Sequence, residues 1–354
     1  MAILIIPAAG MSSRYGLSKP KFLLQSPNGI PMLGEAIKGF GSLKNKGISK
    51  VVVITQKTFL ENISLDALAE SLTNISGLPT EFIEIDGTTR SMVHTVAHYL
   101  QELDHDEPII VKDCDNLVSV NLNLLLGAEN AIGFVDLRKY PNVVAHNKSF
   151  LHIGPTGILE DVIEKEITSS YINIGCVKFG SAYTFLAALS QTVSTSEIYV
   201  SDLVRVLISN GHIFKTVEAD AYEDWGTLAE WRNYCGKFGT YFVDIDGVLV
   251  RNADPLGKEL NWESFEVIGD NVQTLIGLQP FGKMVFTTSR SATYRGLVAL
   301  KLTELGFVDF ELLMDLPHAR RFLINDFAPT NPFPSAVAIN LPRNSADLSD
   351  YLIK

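Results

Sequence analysis

Cysteine is scarce in this sequence: only three of the 354 residues are cysteines, and they lie far apart at Cys114, Cys176 and Cys235. An odd number of widely spaced cysteines argues against a disulfide framework and against zinc-type spacing. The seven histidines add no metal pattern. His94 and His98 lie four residues apart, but no third ligand is near them. Neither a zinc site nor a disulfide-stabilised secreted domain is therefore expected.

Long apolar runs and an excess of basic residues are absent as well. No stretch approaches the roughly 20 apolar residues of a membrane helix. The apolar segment at the N-terminus is too short for a secretory signal and lacks a basic start. Acidic residues outnumber basic ones, 40 to 29, which gives a net charge of −11. Without a basic stripe, nucleic acid is not an expected partner. We expect a soluble cytoplasmic protein with no membrane partner.

Strand and helix patterns alternate along the chain and predict an α/β protein of two domains. Of the 354 residues 46% are hydrophobic and 19% charged, enough for two cores. The predicted strands cover 3–6, 50–55, 81–86, 108–116, 133–136, 142–146, 171–179, 212–218, 241–250, 283–290, 321–326 and 336–340. The predicted helices cover 31–40, 65–72, 92–103, 182–189, 200–210 and 293–305, and a short one ends near residue 234. We place the domains at 1–236 and 237–354, because two glycines in 236–240 indicate a hinge.

The first predicted strand ends at Pro7 in a loop of small and basic residues. Its small residues are Gly10, Ser12, Ser13 and Gly16, and its cations are Arg14, Lys19 and Lys21. Small residues let the backbone turn tightly and direct several N–H groups outward, an arrangement that suits an anion such as phosphate. The alternative is an ordinary loop with solvated basic side chains. Three cations in one short loop favour the phosphate interpretation.

Carboxylates follow two other predicted strands. Asp113 and Asp115 end the strand 108–116, and Asp224 lies in the turn after 212–218. Ligands of α/β proteins gather at the carboxyl ends of the strands, and a bound triphosphate needs a divalent metal with hard oxygen ligands. We therefore predict that Asp115 and Asp224 bind Mg²⁺, with Asp113 beside them. The alternative is that these acids cap helices or are simply solvated.

The opening motif, Pro7 to Arg14 followed by Lys19-Pro-Lys-Phe-Leu-Leu24, resembles the signature of sugar-phosphate nucleotidyltransferases. The sequence is most similar to the short cytidylyltransferases that act on phosphocholine and related small phosphates. Further motifs follow in the family's order: Lys112–Asn116, Glu164-Lys165, Asn173–Gly175 and Asp224–Thr227. The resemblance covers roughly residues 1–235. It implies a Rossmann-like mixed sheet of the GT-A type, and transfer of a nucleotidyl group to a phosphate with release of pyrophosphate.

The same resemblance implies a role for each motif residue. The triphosphate loop is formed by Ala8, Ala9, Gly10, Met11, Ser12 and Ser13. Arg14 would stabilise the leaving pyrophosphate and Lys21 the α-phosphate, while Asp115 and Asp224 would hold Mg²⁺. The residues implied in base recognition are Gln56, Thr89, Arg90 and Ser91. Those implied in binding the acceptor are Glu164, Lys165 and Asn173. CTP is the implied nucleotide, although the 87–91 loop departs from the common glycine-rich base loop and leaves another NTP open.

The predicted second domain begins with two carboxylates on one face of a strand end, Asp244 and Asp246. One such group can attack phosphorus and the other can move protons, with Mg²⁺ offsetting the charge repulsion. This segment resembles the first motif of haloacid dehalogenase-like phosphatases. Three later motifs follow in order, with Thr288 as the phosphoryl-binding hydroxyl, Arg320 or Arg321 as the cation, and Asp326 as a metal ligand.

For this domain the resemblance implies a capless Rossmannoid parallel sheet, because the gaps between the motifs are too short for a cap domain. Asp244 would be the nucleophile and Asp246 the general acid/base, and Asp244, Asp246 and Asp326 would hold a second Mg²⁺. One departure is Asn325, which stands where many relatives carry another acid. The alternative is a domain that retains the fold without phosphatase activity.

The sequence therefore predicts a bifunctional enzyme, a nucleotidyltransferase joined to an Mg²⁺-dependent phosphatase. Its expected partners are CTP or another NTP and a small sugar- or polyol-phosphate, in the setting of bacterial capsule or lipopolysaccharide precursor synthesis. A GT-A glycosyltransferase and a non-catalytic nucleotide sensor remain alternatives. The sequence leaves open the acceptor, the order of the two reactions and whether the chain forms a homo-oligomer.

Overall fold

The computed structural model describes residues 1–11, 15–16, 20–61, 63–193, 197–251, 266–326 and 336–352. The chain divides into two units, Met1–Trp231 and Arg232–Lys354. Among the described residues, no helix has both the length and the apolar character needed to cross a membrane.

The described residues of the first unit form a ten-stranded mixed sheet, which agrees with the predicted α/β class. Its strands are β1 (Ala2–Pro7), β2 (Ile48–Gln56), β3 (Thr80–Ile85), β4 (Ile109–Lys112), β5 (Asn116–Val120), β6 (Asn130–Asp136), β7 (Ser149–Ile153), β8 (Leu159–Glu164), β9 (Tyr171–Phe179) and β10 (Phe214–Asp224). The strand order is β3-β2-β1-β4-β9-β6-β10-β5, and β7 pairs with β8 and β9. The pairs among β1 to β4 and the pair β6–β10 are parallel, whereas β9 runs antiparallel to β4 and β6.

Helices cover both faces of this sheet. The helices of the first unit are α1 (Met32–Lys38), α2 (Leu65–Ser76), α3 (Met92–Leu100), α4 (Leu122–Gly127), α5 (Ala182–Gln191) and α6 (Val200–Ser209). Side chains alternate along a strand, so each strand can serve two cores. In β1, Leu4 and Ile6 belong to one core, which includes Leu33 of α1. Ile3 and Ile5 belong to the other, together with residues of α3, α5 and α6. An all-apolar strand such as β1 is therefore buried on both faces.

Two strand predictions in this unit are wrong. The segment 142–146 is predicted as a strand, but the chain makes a short 3₁₀ turn at Ala145–Asn147 and the strand begins only at Ser149. The predicted strand 108–116 is interrupted, because β4 ends at Lys112 and β5 begins at Asn116. The acids between them leave the strand, and this break lets their carboxylates face a site rather than alternate across a sheet.

The described residues of the second unit form a parallel three-stranded sheet in the order β11-β12-β13, with β11 (Gly239–Asp244), β12 (Gly282–Thr287) and β13 (Phe310–Leu313). Its helices are α8 (Gly269–Leu278), α9 (Arg295–Glu304) and α10 (Leu348–Leu352), and α7 (Leu228–Cys235) spans the division between the units. Val243, Phe286 and Leu312 lie side by side on the three strands and pack in one core. The parallel sheet agrees with the predicted α/β class, while the likeness to phosphatases remains a prediction.

Two further strand predictions, 321–326 and 336–340, are wrong, since neither segment forms a strand. The apolar run Phe322, Leu323 and Ile324 is 76%, 53% and 92% exposed. The apolar residues fit a buried strand, but a strand also needs a partner for its backbone, and sequence alone does not specify one. The predicted strand 241–250 also ends early, at Asp244, after which the chain turns back.

Candidate active site

A buried lysine, Lys112, supports the backbone at the break between β4 and β5. Lys112 is fully buried, and its ammonium group donates to the backbone oxygens of Asp113 at 2.7 Å and Asn116 at 3.0 Å, and to the Asn116 side chain. Asn116 in turn donates to the Ile174 carbonyl at 3.0 Å. Burial lowers the pKa of Lys112. These bonds fix the backbone on either side of the two acids, so the turn that carries them is rigidly supported.

A glycine makes room for Asp113. Gly175 in β9 has a φ of +63°, and a Cβ placed on it would overlap the Asp113 carboxylate. The Asp113 N–H donates to the Gly175 carbonyl at 2.9 Å. Burial, followed by the charge of Asp115, raises the pKa of Asp113 to about 6. Only glycine satisfies both the backbone angle and the close approach here.

Asp115, a predicted metal ligand, forms an ion pair with Lys21, a cation of the predicted phosphate loop. Burial alone would raise the pKa of Asp115, but the charge and hydrogen bond of Lys21 hold it below its ordinary value. The Asp115 carbonyl accepts a hydrogen bond from the Trp225 N–H at 2.9 Å. Tyr15 donates its hydroxyl to the Trp225 carbonyl. The opening loop, the turn that carries Asp113 and Asp115, and the end of β10 therefore meet at one place.

Asp224, the other predicted metal ligand, stands directly beside this turn. Strand β10 runs antiparallel to β5, and Asp224 lies opposite Asn116, one residue from Asp115. Its carboxylate forms an ion pair with Lys148 at 2.6 Å, and Lys148 also donates to the Tyr222 hydroxyl at 3.1 Å. Burial works to lower the pKa of Lys148, but Tyr222 and Asp224 outweigh it and raise that pKa. Lys148 has no local sequence signature and was not predicted as a site residue.

The predicted triphosphate loop is described in part. Ala8, Ala9, Gly10, Met11 and Lys21 are described, whereas Ser12, Ser13, Arg14 and Lys19 lie outside the described residues. Because β1 and β2 are parallel neighbours, Gln56 at the end of β2 reaches this loop. Its amide nitrogen donates to the Ala9 carbonyl at 2.5 Å and contacts the Met11 sulfur at 3.7 Å. Gln56 therefore lies beside the loop, and its role in base recognition stays a prediction.

The other predicted base-recognition residues lie at the start of α3. The Thr89 hydroxyl donates to the Ser91 carbonyl at 3.0 Å and contacts the Thr95 hydroxyl at 2.6 Å. The Ser91 hydroxyl lies 2.8 Å from Nδ1 of His94. Arg90 is exposed. The hydroxyls of this segment thus order the start of α3, and their role toward a base remains a prediction.

The predicted acceptor residues lie on the β7–β8 hairpin and on β9. Glu164 ends β8 and accepts hydrogen bonds from Ser149 at 2.5 Å and Ser201 at 2.7 Å. Lys165 has a φ of +58° and donates to the Tyr199 hydroxyl at 2.5 Å. Asn173 accepts from the Gly175 N–H at 3.0 Å. Lys165 thus contacts Tyr199 just before α6, whereas Lys148 contacts Asp224.

The donor set suits a magnesium ion. Asp115, just before β5, and Asp224, at the end of β10, offer hard carboxylate oxygens, and Mg²⁺ commonly binds to one or two carboxylates and to substrate phosphates. Within the described ranges, no three His, Cys, Asp or Glu side chains form a group that could hold a metal by themselves. The residues present therefore fit an ion that takes its remaining ligands from substrate, and Mg²⁺ stays a prediction for both units.

In the second unit the structure brings together Asp244, Asp246 and Thr288 and adds Arg290. The Arg290 guanidinium binds the Asp246 carboxylate at 2.5 Å and 3.1 Å, and the Thr288 hydroxyl donates to it at 2.9 Å. Partial burial, followed by the charge of Asp246, raises the pKa of Asp244, while the charge of Arg321 lowers it. Arg290 was missed as a site residue, although a cation two residues after a strand-end threonine was a visible signal.

The predicted cation and the predicted metal-binding acid of this unit contact Asp244 and Asp246 less closely than Thr288 and Arg290 do. The Arg321 guanidinium donates to the carbonyls of Pro317 at 3.0 Å and Ala319 at 2.8 Å, and its charge reaches Asp244. Arg320 is exposed and has no described effect on Asp244. Asp326 is exposed at the end of the segment that forms no strand. Arg321 thus fits the cation position better than Arg320.

Solved structures share the fold of this chain over about two thirds of its length. A nucleoside-diphosphate-sugar pyrophosphorylase from Vibrio cholerae RC9 is 18% identical, with a TM-score of 0.55, and the match covers 66% of this chain and 99% of that one. An inositol-1-phosphate CTP transferase from T. maritima is 14% identical, with a TM-score of 0.51 and coverage of 65% and 91%. A UDP-glucose pyrophosphorylase complexed with UDP-glucose is 15% identical, with a TM-score of 0.51 and coverage of 66% and 97%.

These likenesses establish that the chain contains a nucleotidyltransferase fold. No family model matches the sequence. No curated protein matches it either.

Proposed function

We propose that the first unit transfers a nucleotidyl group from an NTP to a small sugar- or polyol-phosphate and releases pyrophosphate. The observation that carries this proposal is the meeting of Asp115, Asp224 and the cation Lys21 at strand ends, within the fold of the nucleotidyltransferases. The reaction asks little covalent chemistry of the protein. The site must place two anionic phosphates in line and offset their charge.

Each described residue has a part in that task. The Lys21 ammonium binds the α-phosphate and offsets the charge that builds on it during transfer. The backbone of Ala8 to Met11 receives the triphosphate, with Gln56 fixing the loop through the Ala9 carbonyl. Lys112 holds Asp115 and its neighbours in place from beneath. When bound to Asp115 and Asp224, Mg²⁺ would neutralise phosphate charge and hold both substrates near the reacting phosphorus.

CTP is the nucleotide we propose, and a polyol or sugar phosphate is the acceptor. The sequence resemblance to cytidylyltransferases supports CTP, and one structural neighbour is named for CTP transfer to inositol-1-phosphate. Other neighbours are named for nucleotide sugars. A role in capsule or lipopolysaccharide precursor synthesis remains a prediction of the sequence.

Pyrophosphate release tests the proposal. The purified chain is incubated with Mg²⁺, each of four NTPs and a panel of sugar and polyol phosphates. We expect pyrophosphate with CTP and at least one acceptor, and loss of the signal in Asp115→Asn. Nucleotide binding without pyrophosphate would favour a sensor. Release of free nucleoside diphosphate from a nucleotide sugar would favour a glycosyltransferase.

We propose a second activity, phosphomonoester hydrolysis, for the second unit. Asp244 stands at the end of a parallel strand, and Asp246 is held by Thr288 and Arg290. In this proposal Asp244 attacks phosphorus, and the bond to the leaving alcohol breaks as Asp246 gives that alcohol a proton. Water, losing a proton to Asp246, then hydrolyses the aspartyl-phosphate and releases inorganic phosphate. The chain should release inorganic phosphate from an aryl phosphate with Mg²⁺, and Asp244→Asn should not. If both proteins are inactive on a broad panel, the unit retains only the fold.

A further inference from the structure

A second lysine occupies the proposed nucleotidyltransferase site. Lys148 immediately precedes β7, and its ammonium lies 2.6 Å from Asp224 and 3.1 Å from the Tyr222 hydroxyl. Its side chain is 17% exposed and that of Asp224 is 11% exposed, so both are shielded yet open to a small solute. The charge of Lys148 also acts on Asp113 and Asp115. It is thus a cation shared by all three acids.

The position of Lys148 in the fold associates it with the acceptor. The β7–β8 hairpin carries Glu164, and Ser149 next to Lys148 donates to it. The Lys165 N–H donates to the Lys148 carbonyl at 2.9 Å, so the two lysines are adjacent across the base of the hairpin. The Lys165 ammonium, however, lies 4.3 Å from the centre of the ring of Tyr199, the residue before α6. Of these two lysines, Lys148 is the one whose ammonium lies at the acids.

Because the site is rich in negative charge, the phosphate of the acceptor needs a cation other than Lys21. Lys21 serves Asp115 and the nucleotide in the proposed reaction. The attacking phosphate carries its own negative charge and has to approach three carboxylates. A shielded ammonium needs hydrogen-bond acceptors, and a phosphate oxygen can take the place of a carboxylate oxygen.

We propose that Lys148 binds the phosphate group of the acceptor substrate, exchanging its contact with Asp224 for one with a phosphate oxygen. This inference rests on the proposed function and adds a residue to the acceptor subsite. Lys21 then binds the phosphate of the nucleotide and Lys148 the phosphate that attacks it. The alternative is a purely structural ion pair that ties the hairpin to β10.

Titration with inorganic phosphate tests the inference without turnover. Binding to the whole chain is measured by calorimetry in Mg²⁺ buffer for the wild type, Lys148→Met, Lys148→Gln and Lys148→Arg. A charge-assisted hydrogen bond accounts for roughly 10- to 100-fold in affinity. We expect a loss of that size in the Met and Gln variants and retention in Lys148→Arg. Lys50→Met is the control, because Lys50 pairs with Glu81 on the outer strands β2 and β3.

Lys148→Gln keeps the test decisive if Lys148→Met does not fold, because its amide can still donate to Asp224 and Tyr222. Equal phosphate binding by the Gln variant and the wild type would overturn the inference, and so would a wild type that binds no phosphate. Thermal unfolding of each variant identifies a purely structural effect, which would lower the melting temperature and leave phosphate affinity unchanged.

Kinetics distinguish this inference from the proposed function. With the acceptor found by the pyrophosphate assay, Lys148→Gln should raise the KM for the acceptor by about 10-fold or more and leave the KM for CTP nearly unchanged. Equal rises in both KM values would contradict an acceptor-specific role. If the wild type releases no pyrophosphate with any pair, the proposed function fails, and the phosphate titration still decides whether Lys148 binds phosphate.

Discussion

Each of the two proposed metal acids has its own lysine, Lys21 for Asp115 and Lys148 for Asp224. Burial favours the neutral form of a carboxylate. Lys21 offsets this effect at Asp115, and Lys148 places a positive charge beside Asp224. In the proposed reaction, the nucleotide and the acceptor each bring a phosphate group that can take the place of a carboxylate beside one of these lysines.

The fit between Gly175 and Asp113 leads to a stability prediction. Gly175→Ala forces a left-handed φ on a non-glycine residue and overlaps the Asp113 carboxylate. We expect a loss of about 2 kcal/mol or more in unfolding free energy, together with reduced pyrophosphate release. Gly127→Ala is the control, since a Cβ there meets no atom within 4 Å. Chemical denaturation of both variants measures the difference, and equal stabilities would refute the explanation.

Residues in compact motifs could be predicted from sequence, and isolated ones could not. Lys21 and Asp115 lie in short segments whose residue types and spacing indicate phosphate and metal chemistry, and they are in contact in the structure. Lys148 reaches Asp224 across 76 residues of chain. Its sequence neighbours, Asn147 and Ser149, could equally flank a solvent-exposed lysine. Only the pairing of the strands in the structure shows that Lys148 lies beside Asp224.

At the scale of elements, the start of α6 braces the acceptor side of the site. Ser201 in its first turn donates to Glu164, and Tyr199 just before the helix contacts Lys165. Asp202 accepts a hydrogen bond from the Tyr199 N–H at 2.8 Å, which satisfies one of the free N–H groups at the start of the helix. Asp202 thus supports the start of the helix, whose residues contact both predicted acceptor residues.

This bracing predicts that Asp202→Ala impairs acceptor binding from outside the site. Loss of the cap should cost about 1 kcal/mol of stability and raise the KM for the acceptor several-fold more than that for the NTP. Ser64→Ala is the matched control, because Ser64 caps α2 through the Ala67 N–H at 3.3 Å and α2 carries no proposed site residue. Steady-state kinetics with thermal unfolding tests this. A similar KM change in both variants would point to a general loss of stability.

Elements with strong local sequence patterns could be predicted well, whereas strands that depend on a distant pairing strand could not. The strand at 171–179 and the helix at 200–210 appear within a residue of their predicted bounds. The apolar run 321–326 has the same local character as a buried strand, yet it forms none. Backbone pairing is a long-range property, and this run contains no feature that selects a partner strand.

At the scale of the whole molecule, the two proposed phosphate-handling sites lie in two units with separate cores. The core of the second unit contains Val243, Phe286 and Leu312, none of which belongs to the cores of the first. A substitution at one site should therefore leave the packing around the other unchanged.

The separate cores predict independent losses of activity. Lys21→Ala should abolish pyrophosphate release, a loss on the order of 100-fold or more, and leave phosphate release from an aryl phosphate unchanged. Asp244→Asn should do the reverse. Both products are measured on each variant from one preparation. Loss of both activities in either single variant would contradict the assignment of one reaction to each unit.

The strand order of the first unit also determines when its site can form during synthesis. Strand β5 follows β4 by only a few residues, yet its described partner in the sheet is β10, about a hundred residues later. Asp115 and Asp224 therefore come together only after the ribosome has released β10. A growing chain that ends before Phe214 already carries the opening loop and Lys21, but it lacks the strand that brings Asp224 beside Asp115. Under the proposed function, binding of a ligand that needs both acids can therefore stabilise only a nearly finished unit.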